Sequence, residues 1–414
     1  MKHILFTSYD GITDPLGQSQ VLPYLIGLTR KGYRFTILSA EKEEGLQKNE
    51  AIIRKIMEAH DMQWVYVKYT KRPPILSTVF DLWRMHRKIV RHARRQGGFD
   101  MVHSRALISA ILGYPLSKRF GAGFLFDTRS FWADERKDVG LWNMKNPVYR
   151  LVYKYFKKQE KKLLIHANQV TILTEKGKQE LGRWNYAPDL TGRTTVIPCC
   201  ADLDHFSPDS VSAEAKSALR RELGIGPSDF VLSYVGSFGT WYFLDKKMLL
   251  FKMLLGIYPE AKFLLISGSD PALAYAASDA LQIPRDKIIV RSASRKEVPL
   301  YISLSSVSVF YIFPFYSKIA SSPTKQGEIM GMGIPIICNA GVGDSDTILE
   351  TTGSGLVMHD FSEAEIRAIL PRIPELLRIP PAQIRQGAFR YYGLAEGIEK
   401  YAGVYAKILN NPNP

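Results

Sequence analysis

The stretch Ser321-Ser-Pro-Thr-Lys-Gln-Gly-Glu-Ile-Met-Gly-Met-Gly-Ile-Pro-Ile-Ile-Cys-Asn-Ala-Gly-Val-Gly-Asp-Ser-Asp346 decides the reading of this chain. Its pattern predicts a polar loop, a short helix opening near Pro323, a glycine stop at Gly333 and a buried strand from Ile334 to Cys338. Proline suits the first turn of a helix, where its missing N–H has no intrahelical partner to lose. Ser321 and Ser322 are candidate caps for that turn. A helix start offers unpaired N–H groups and the positive end of a dipole, both of which favour a phosphate. Lys325 adds a positive charge, and Glu328, one turn on, can accept hydrogen bonds from sugar hydroxyls. The combination describes a site for a phosphorylated, hydroxyl-rich ligand.

Upstream of this stretch the same rhythm repeats. Strands are expected over 230–236, 261–267, 288–291 and 307–313, several closed by glycine or proline. The first half opens alike, with a buried strand over 2–8, a polar loop over 10–20, a helix through Lys31 stopped at Gly32, and a strand over 33–39. Further strand-like ends occur near 99–105, 123–127 and 169–173, each followed by a helical or irregular segment. Strand–helix–strand units imply parallel pairing with right-handed crossovers. Such sheets bind ligands at the carboxyl ends of their strands. The loop over 10–20 lies at such an end, and Gly17 is its residue suited to close backbone approach.

A chain of 414 residues exceeds one ordinary core and points to two domains. The three cysteines, two of them adjacent at Cys199 and Cys200, give neither a disulfide framework nor a metal spacing. The first residues turn polar too soon for a signal peptide, and no apolar run has transmembrane length. Charge is uneven: residues 1–198 carry 34 Lys and Arg against 18 Asp and Glu, and the remainder 21 against 22. An anionic partner for the first half is the natural consequence.

Two tracts concentrate that charge. Lys68 to Arg95 holds one acid, Asp81, and past Pro73-Pro74 reads as an amphipathic helix with interleaved Leu76, Val79, Phe80, Leu82, Trp83, Met85, Ile89 and Val90. Arg150 to Lys162 holds one acid, Glu160, among Leu151, Val152, Tyr153, Tyr155 and Phe156. Cationic helices with aromatic faces suit anionic lipid headgroups. Nucleic acid is not expected, because no binding module accompanies the charge. Two Asp-x-Asp spacings, Asp202/Asp204 and Asp344/Asp346, precede helices and read as caps rather than metal ligands.

A family resemblance rests on four of these segments. Glu328-Ile-Met-Gly-Met-Gly-Ile-Pro-Ile-Ile resembles the second half of the motif of retaining glycosyltransferases of family 4. The first glutamate of that motif falls at Ala320, and Ser322-Pro-Thr-Lys325 resembles a variant in which lysine precedes the second glutamate. Residues 123–135 resemble the acceptor-side Glu-x-Arg-Asp-x-Trp-Pro segment of bacterial members, with Arg129 where many carry a histidine beside the reacting sugar. Residues 195–206 resemble the interdomain segment. Gly236-Ser237 stands where members commonly have Gly-Arg followed by a lysine; Lys246 and Lys247 come late, which shifts weight onto Lys325.

The resemblance implies an α/β fold of two doubly wound Rossmann-like domains facing a cleft, the GT-B arrangement. Residues 1–198 form the acceptor-side domain, with a C-terminal helix over 393–414 crossing back, and residues 199–392 the nucleotide-sugar domain. The implied reaction moves a sugar from a nucleotide diphosphate sugar to an acceptor hydroxyl with retention, as in hexosyltransferases. A lipid-linked acceptor or a growing surface polysaccharide is expected. Lys325 and Arg129 are the catalytic candidates. Gly17, Gly236, Ser237, Arg291, Ser321, Ser322, Thr324, Lys325 and Glu328 are the donor-side candidates. His103, Asp127 and Arg129 are the acceptor-side candidates, although a lone histidine such as His103 also has a purely structural reading. No metal or other cofactor is expected. The implied setting is cytoplasmic, peripheral on the inner face of the cell membrane. A nucleotide-sugar epimerase of the same fold and a non-catalytic nucleotide-sugar-binding protein are the alternatives.

Overall fold

The computed structural model describes residues 1–73 and 75–410. Pro74 of the expected proline break and positions 411–414 of the expected terminal helix lie outside the described residues, as does the side chain of Thr240. Two compact units divide the chain, one of residues 1–198 with the segment from 394 onward, the other of residues 199–393.

The first unit is built on seven strands: β1 (Lys2–Ser8), β2 (Tyr33–Glu41), β3 (Gln63–Lys68), β4 (Met101–Arg105), β5 (Gly123–Asp127), β6 (Gln169–Ile172) and β7 (Thr194–Val196). Their order is β3-β2-β1-β4-β5-β6-β7, all parallel. Ile4, Leu5 and Phe6 of β1 are all buried, the continuous apolar run expected of a central parallel strand covered on both faces. The C-terminal helix Leu394–Asn410 packs on the Leu22–Thr29 helix and on β5 and β6.

The second unit carries β8 (Val231–Val235), β9 (Lys262–Ile266), β10 (Ile288–Arg291), β11 (Val307–Phe310), β12 (Ile336–Asn339) and β13 (Gly355–Met358) in the order β10-β9-β8-β11-β12-β13. Strand order reverses between β1 and β4 in one sheet and between β8 and β11 in the other. Those reversal points open crevices at the carboxyl ends of the strands, where such sheets bind ligands.

Local departures from expectation have local causes. The helix expected through Lys31 is two helices, Pro15–Gln20 and Leu22–Thr29. Val21 leaves helical geometry (φ −124°, ψ −62°) just ahead of Pro23, which has no N–H to continue the ladder. The strand expected over 334–338 forms instead at Ile336–Asn339. Gly333 turns the chain at φ +70°, and Pro335 contributes only its carbonyl, accepting from the Ser308 N–H at 2.9 Å.

Candidate functional site

In the second domain, β8 ends at Val235 and delivers Gly236, which holds φ +137°. A Cβ at this position would lie 2.6 Å from Lys325 Nζ and 3.0 Å from Tyr234 Oη, so only glycine lets the lysine approach. Tyr234 is buried and donates its hydroxyl to the Ser237 carbonyl at 2.6 Å. Lys325 Nζ lies 4.8 Å from the Tyr234 ring centre and 4.7 Å from that of Tyr242. A second ammonium shares the ring: Lys247 Nζ is 3.4 Å from the Tyr234 centre and donates to the Tyr242 carbonyl at 2.5 Å. Among the described residues neither lysine is in an ion pair. Burial lowers both pKa values, that of Lys325 to about 8 against a weak opposing pull from Glu328. Lys247 falls well below its ordinary value through burial and the charge of Lys325. Two lysines buried side by side, each with a lowered pKa, make a candidate anion site.

Sequence reasoning set Lys247 aside as coming too late after Gly236, whereas the structure brings it onto the Tyr234 ring. It occupies the buried stripe of the Leu244–Leu254 helix together with Phe251 and Leu254, at helical spacing, and that placement was the available signal.

The helix following Ser321 runs Thr324–Gly331, with Pro323 at its N-cap position rather than inside the first turn. No side chain caps it, so Ser321 and Ser322 do not take the capping role expected of them. Ser322 Oγ instead accepts from the Cys199 N–H at 3.2 Å. The first N–H groups of the helix are thereby left to other partners. Glu328 projects one turn on, 3.4 Å from Arg295, with burial raising its pKa against the pull of Arg295 and Lys325. Arg291 ends β10 as an exposed side chain whose guanidinium donates to the Val290 carbonyl at 2.9 Å.

In the first domain, a Cβ at Gly17 would lie 2.4 Å from the Gly11 carbonyl oxygen, so this glycine serves the packing of its own loop. Buried Glu41, at the end of β2, fixes that loop by accepting from the Ile12 and Thr13 N–H groups at 2.8 and 3.1 Å and from the Thr13 hydroxyl at 2.6 Å. Asp127, at the end of β5, is the centre of a buried network. Thr171 donates to it at 2.9 Å and Tyr401 at 3.2 Å. Arg129 lies 3.7 Å and His103 3.5 Å away. His103 also meets the Tyr405 hydroxyl at 2.7 Å through Nδ1. Burial opposes ionisation of Asp127, but Arg129, His103 and Arg105 outweigh it and hold the carboxyl below its usual range. Burial keeps the His103 imidazole below its ordinary pKa despite Asp127. The three acceptor-side candidates thus converge, and through Tyr401 and Tyr405 they hold the C-terminal helix on the sheet.

Residues 20–205 match the model of Glycosyltransferase Family 4. The match spans most of the first unit and less than half of the chain. No curated protein matches the chain in sequence. Among solved structures, sucrose-phosphate synthase from Thermosynechococcus elongatus is similar at 17% identity and TM-score 0.74, over 99% of this chain and 100% of that one. HepE from Anabaena, in complex with UDP-glucose, is similar at 13% identity and TM-score 0.68, over 98% of this chain and 100% of that one. WaaG, a glycosyltransferase involved in lipopolysaccharide biosynthesis, gives 14% and 0.66 over 97% and 99%. At such identities the likeness is one of fold, the GT-B fold with two Rossmann-like domains.

The first domain carries both basic tracts. The first is the Leu76–Gln96 helix, which buries Met85, Ile89 and Ala93 and leaves Leu76, Val79, Phe80 and Trp83 exposed. The second is the Pro147–His166 helix, with Val148, Leu151 and Tyr155 exposed at helical spacing. Lys157 of that tract turns inward, bonded to Asp134 at 2.8 Å and to Glu160. Among the described residues no helix is long and apolar enough to cross a membrane.

Proposed function

We propose that the protein is a retaining glycosyltransferase of the hexosyltransferase kind, moving a sugar from a nucleotide diphosphate sugar to an acceptor hydroxyl. The observation that carries the reading is the pair of buried lysine side chains, Lys247 and Lys325, over the Tyr234 ring beside Gly236. Lone buried cations are costly, and a diphosphate offsets that cost with two negative charges. Lys325, Lys247 and the N–H groups over 321–325 hold the diphosphate, and Glu328 takes the ribose hydroxyls. Ser237 and Arg291 flank the nucleotide. As the glycosidic bond breaks, charge grows on the departing diphosphate, and fixed ammonium groups there stabilise the transition state. The leaving phosphate accepts the hydroxyl proton, so the site needs neither a carboxylate acid–base pair nor a metal. The loop around Gly17, and Arg129 with its partners His103 and Asp127, serve the acceptor side.

The acceptor is a lipid-linked glycan or a growing surface polysaccharide, met at the inner face of the membrane. The exposed apolar residues of the two cationic helices support this. HepE, a fold neighbour, binds UDP-glucose, so uridine sugars head the panel of donors to test. Thermal stabilisation by that panel tests donor binding: a ligand at 100 times its Kd adds about 2.7 kcal/mol. Turnover of the best donor with and without membrane extract then separates transfer from epimerisation, which consumes the donor alone. No stabilisation by any sugar nucleotide refutes the reading.

A further inference from the structure

The open edge of the first sheet carries a groove of about 850 Å³ that includes none of the donor-side or acceptor-side candidates. Edge strand β3 forms its floor; one wall is the Leu76–Gln96 helix, and Arg54 of the Glu43–Ala59 helix stands on the other. Trp64, Tyr66 and Trp83 give it aromatic surface, and among the described residues no carboxylate lines it.

Four of its cations are already engaged. Arg54 pairs with Glu50 at 2.6 Å and Lys68 with Glu43 at 2.8 Å. Arg84 donates to the Lys68 carbonyl at 3.2 Å and Lys88 to the Tyr66 carbonyl at 2.6 Å. These last two contacts occupy carbonyls of the bare strand edge and so block the addition of another strand. Edge protection accounts for Arg84 and Lys88, but not for the rest.

Arg87, Arg91 and Arg95 recur at every fourth position, one row along the helix, with about 6 Å of rise between neighbours. All three are exposed, and among the described residues none has a carboxylate partner. Arg87 lies over the Trp83 ring at 4.6 Å, which holds its fork at the groove. The positive field is felt by the neighbours. Burial and then Arg84 and Arg54 lower the pKa of Lys88; burial and then Arg34 and Arg95 lower that of His92. We propose that this groove is a binding site for a ligand carrying two or more phosphate groups. Guanidinium forks match phosphate oxygens bidentately, and a row of three spans about 12 Å, too long for a single phosphate to neutralise. The ligand is a free polyphosphorylated molecule or a lipid headgroup. The exposed ridge of Val79 and Phe80 adjoins the groove through the Phe80–Trp83 stack, 6.0 Å between ring centres, and gives an acyl chain somewhere to lie.

The test uses the full chain carrying Lys325→Ala, so that the phosphate site of the second domain does not dominate, with inorganic tripolyphosphate as probe in calorimetry. Adding Arg87→Gln, Arg91→Gln and Arg95→Gln should weaken tripolyphosphate about 100-fold, at about fivefold per charge. Since all three side chains are exposed, the melting temperature should stay near that of the parent. Phosphatidylcholine vesicles containing cardiolipin, whose headgroup holds two phosphates, distinguish the sources. Vesicle binding that the arginine changes abolish and tripolyphosphate competes away assigns the groove to a lipid. Tripolyphosphate binding without vesicle binding assigns it to a soluble ligand. Tripolyphosphate affinity unchanged by the three substitutions overturns the proposal, and does so without touching the donor reading, which rests on Lys247 and Lys325.

Discussion

Raising the pH from 7 to 9 should weaken donor binding at least about tenfold, and Lys325 is the reason. Its ordinary pKa of 10.5 is lowered to about 8 by burial, with Glu328 pulling weakly the other way. In the free protein the ammonium is therefore about nine-tenths formed at pH 7 and about one-tenth formed at pH 9. A sugar nucleotide keeps both diphosphate charges over this range, and it binds the ammonium form. Binding above pH 8 must then bring in a proton, and the apparent affinity falls with the protonated fraction. Lys247, also lowered, adds to the uptake.

The sign for stability is opposite, which makes the test sharp. Between about pH 8 and 10.5 the unfolded chain holds a proton on Lys325 that the folded chain has released, so the free protein gains stability as the pH rises. Calorimetry with the best-stabilising sugar nucleotide, run near pH 8 in two buffers of different ionisation enthalpy, reads the proton uptake directly. About half a proton or more per donor is expected. Lys325→Met should bind weakly and lose most of the pH dependence. Donor affinity flat from pH 7 to 9, with no proton taken up, refutes the assignment of Lys325 to the diphosphate.

The other expectations are narrower. Lys247→Met should leave the melting temperature unchanged or raised, because it removes a buried charge, while turnover falls roughly 100- to 1000-fold. Glu328→Ala should weaken the donor by about 2 to 3 kcal/mol in calorimetry without unfolding the domain, through lost charged hydrogen bonds to hydroxyls. Asp127→Asn should cost about 3 kcal/mol in denaturant unfolding, since it removes the buried negative charge that faces Arg129 and loosens the Tyr401 contact of the C-terminal helix. Leu151→Asp with Lys154→Glu and Lys158→Glu should release the protein from anionic vesicles in sedimentation while donor binding stays intact, because these side chains lie on the exposed face of the second basic helix.

What could be read from the chain alone follows from how far each signal reaches along it. The central strands β1, β8 and β9 are runs of buried apolar residues, and a run of that kind needs no tertiary knowledge to recognise. Lys325 and Glu328 could be singled out because loop, helix start and strand follow one another in sequence, and Gly236 because it closes an apolar strand; the structure brings Gly236 and Lys325 together. β3 was not legible, although Val65 and Val67 are buried and alternate with half-exposed Trp64 and Tyr66. An edge strand displays both a core face and a solvent face, so its composition resembles a loop more than its neighbours do. Lys247 was discounted for a different reason, its late position after Gly236. Distance along the chain says little once a helix turns back, and only contacts with Tyr234 and Tyr242, from a strand and a turn that precede it, show that its helix face reaches Lys325.

The same limit explains the arginine row. Sequence shows a cationic helix, and a cationic helix is ordinarily a solvated face. Concavity changes that, and concavity here is supplied by β3 and the Glu43–Ala59 helix, neither of which carries the charge excess. Arg84 and Lys88 find carbonyls on that strand edge; Arg87, Arg91 and Arg95 sit on the same helix with no carboxylate partner among the described residues. Identical residue types on one helix are thus divided by what stands opposite them. The three left over are the ones whose charge still calls for an anion.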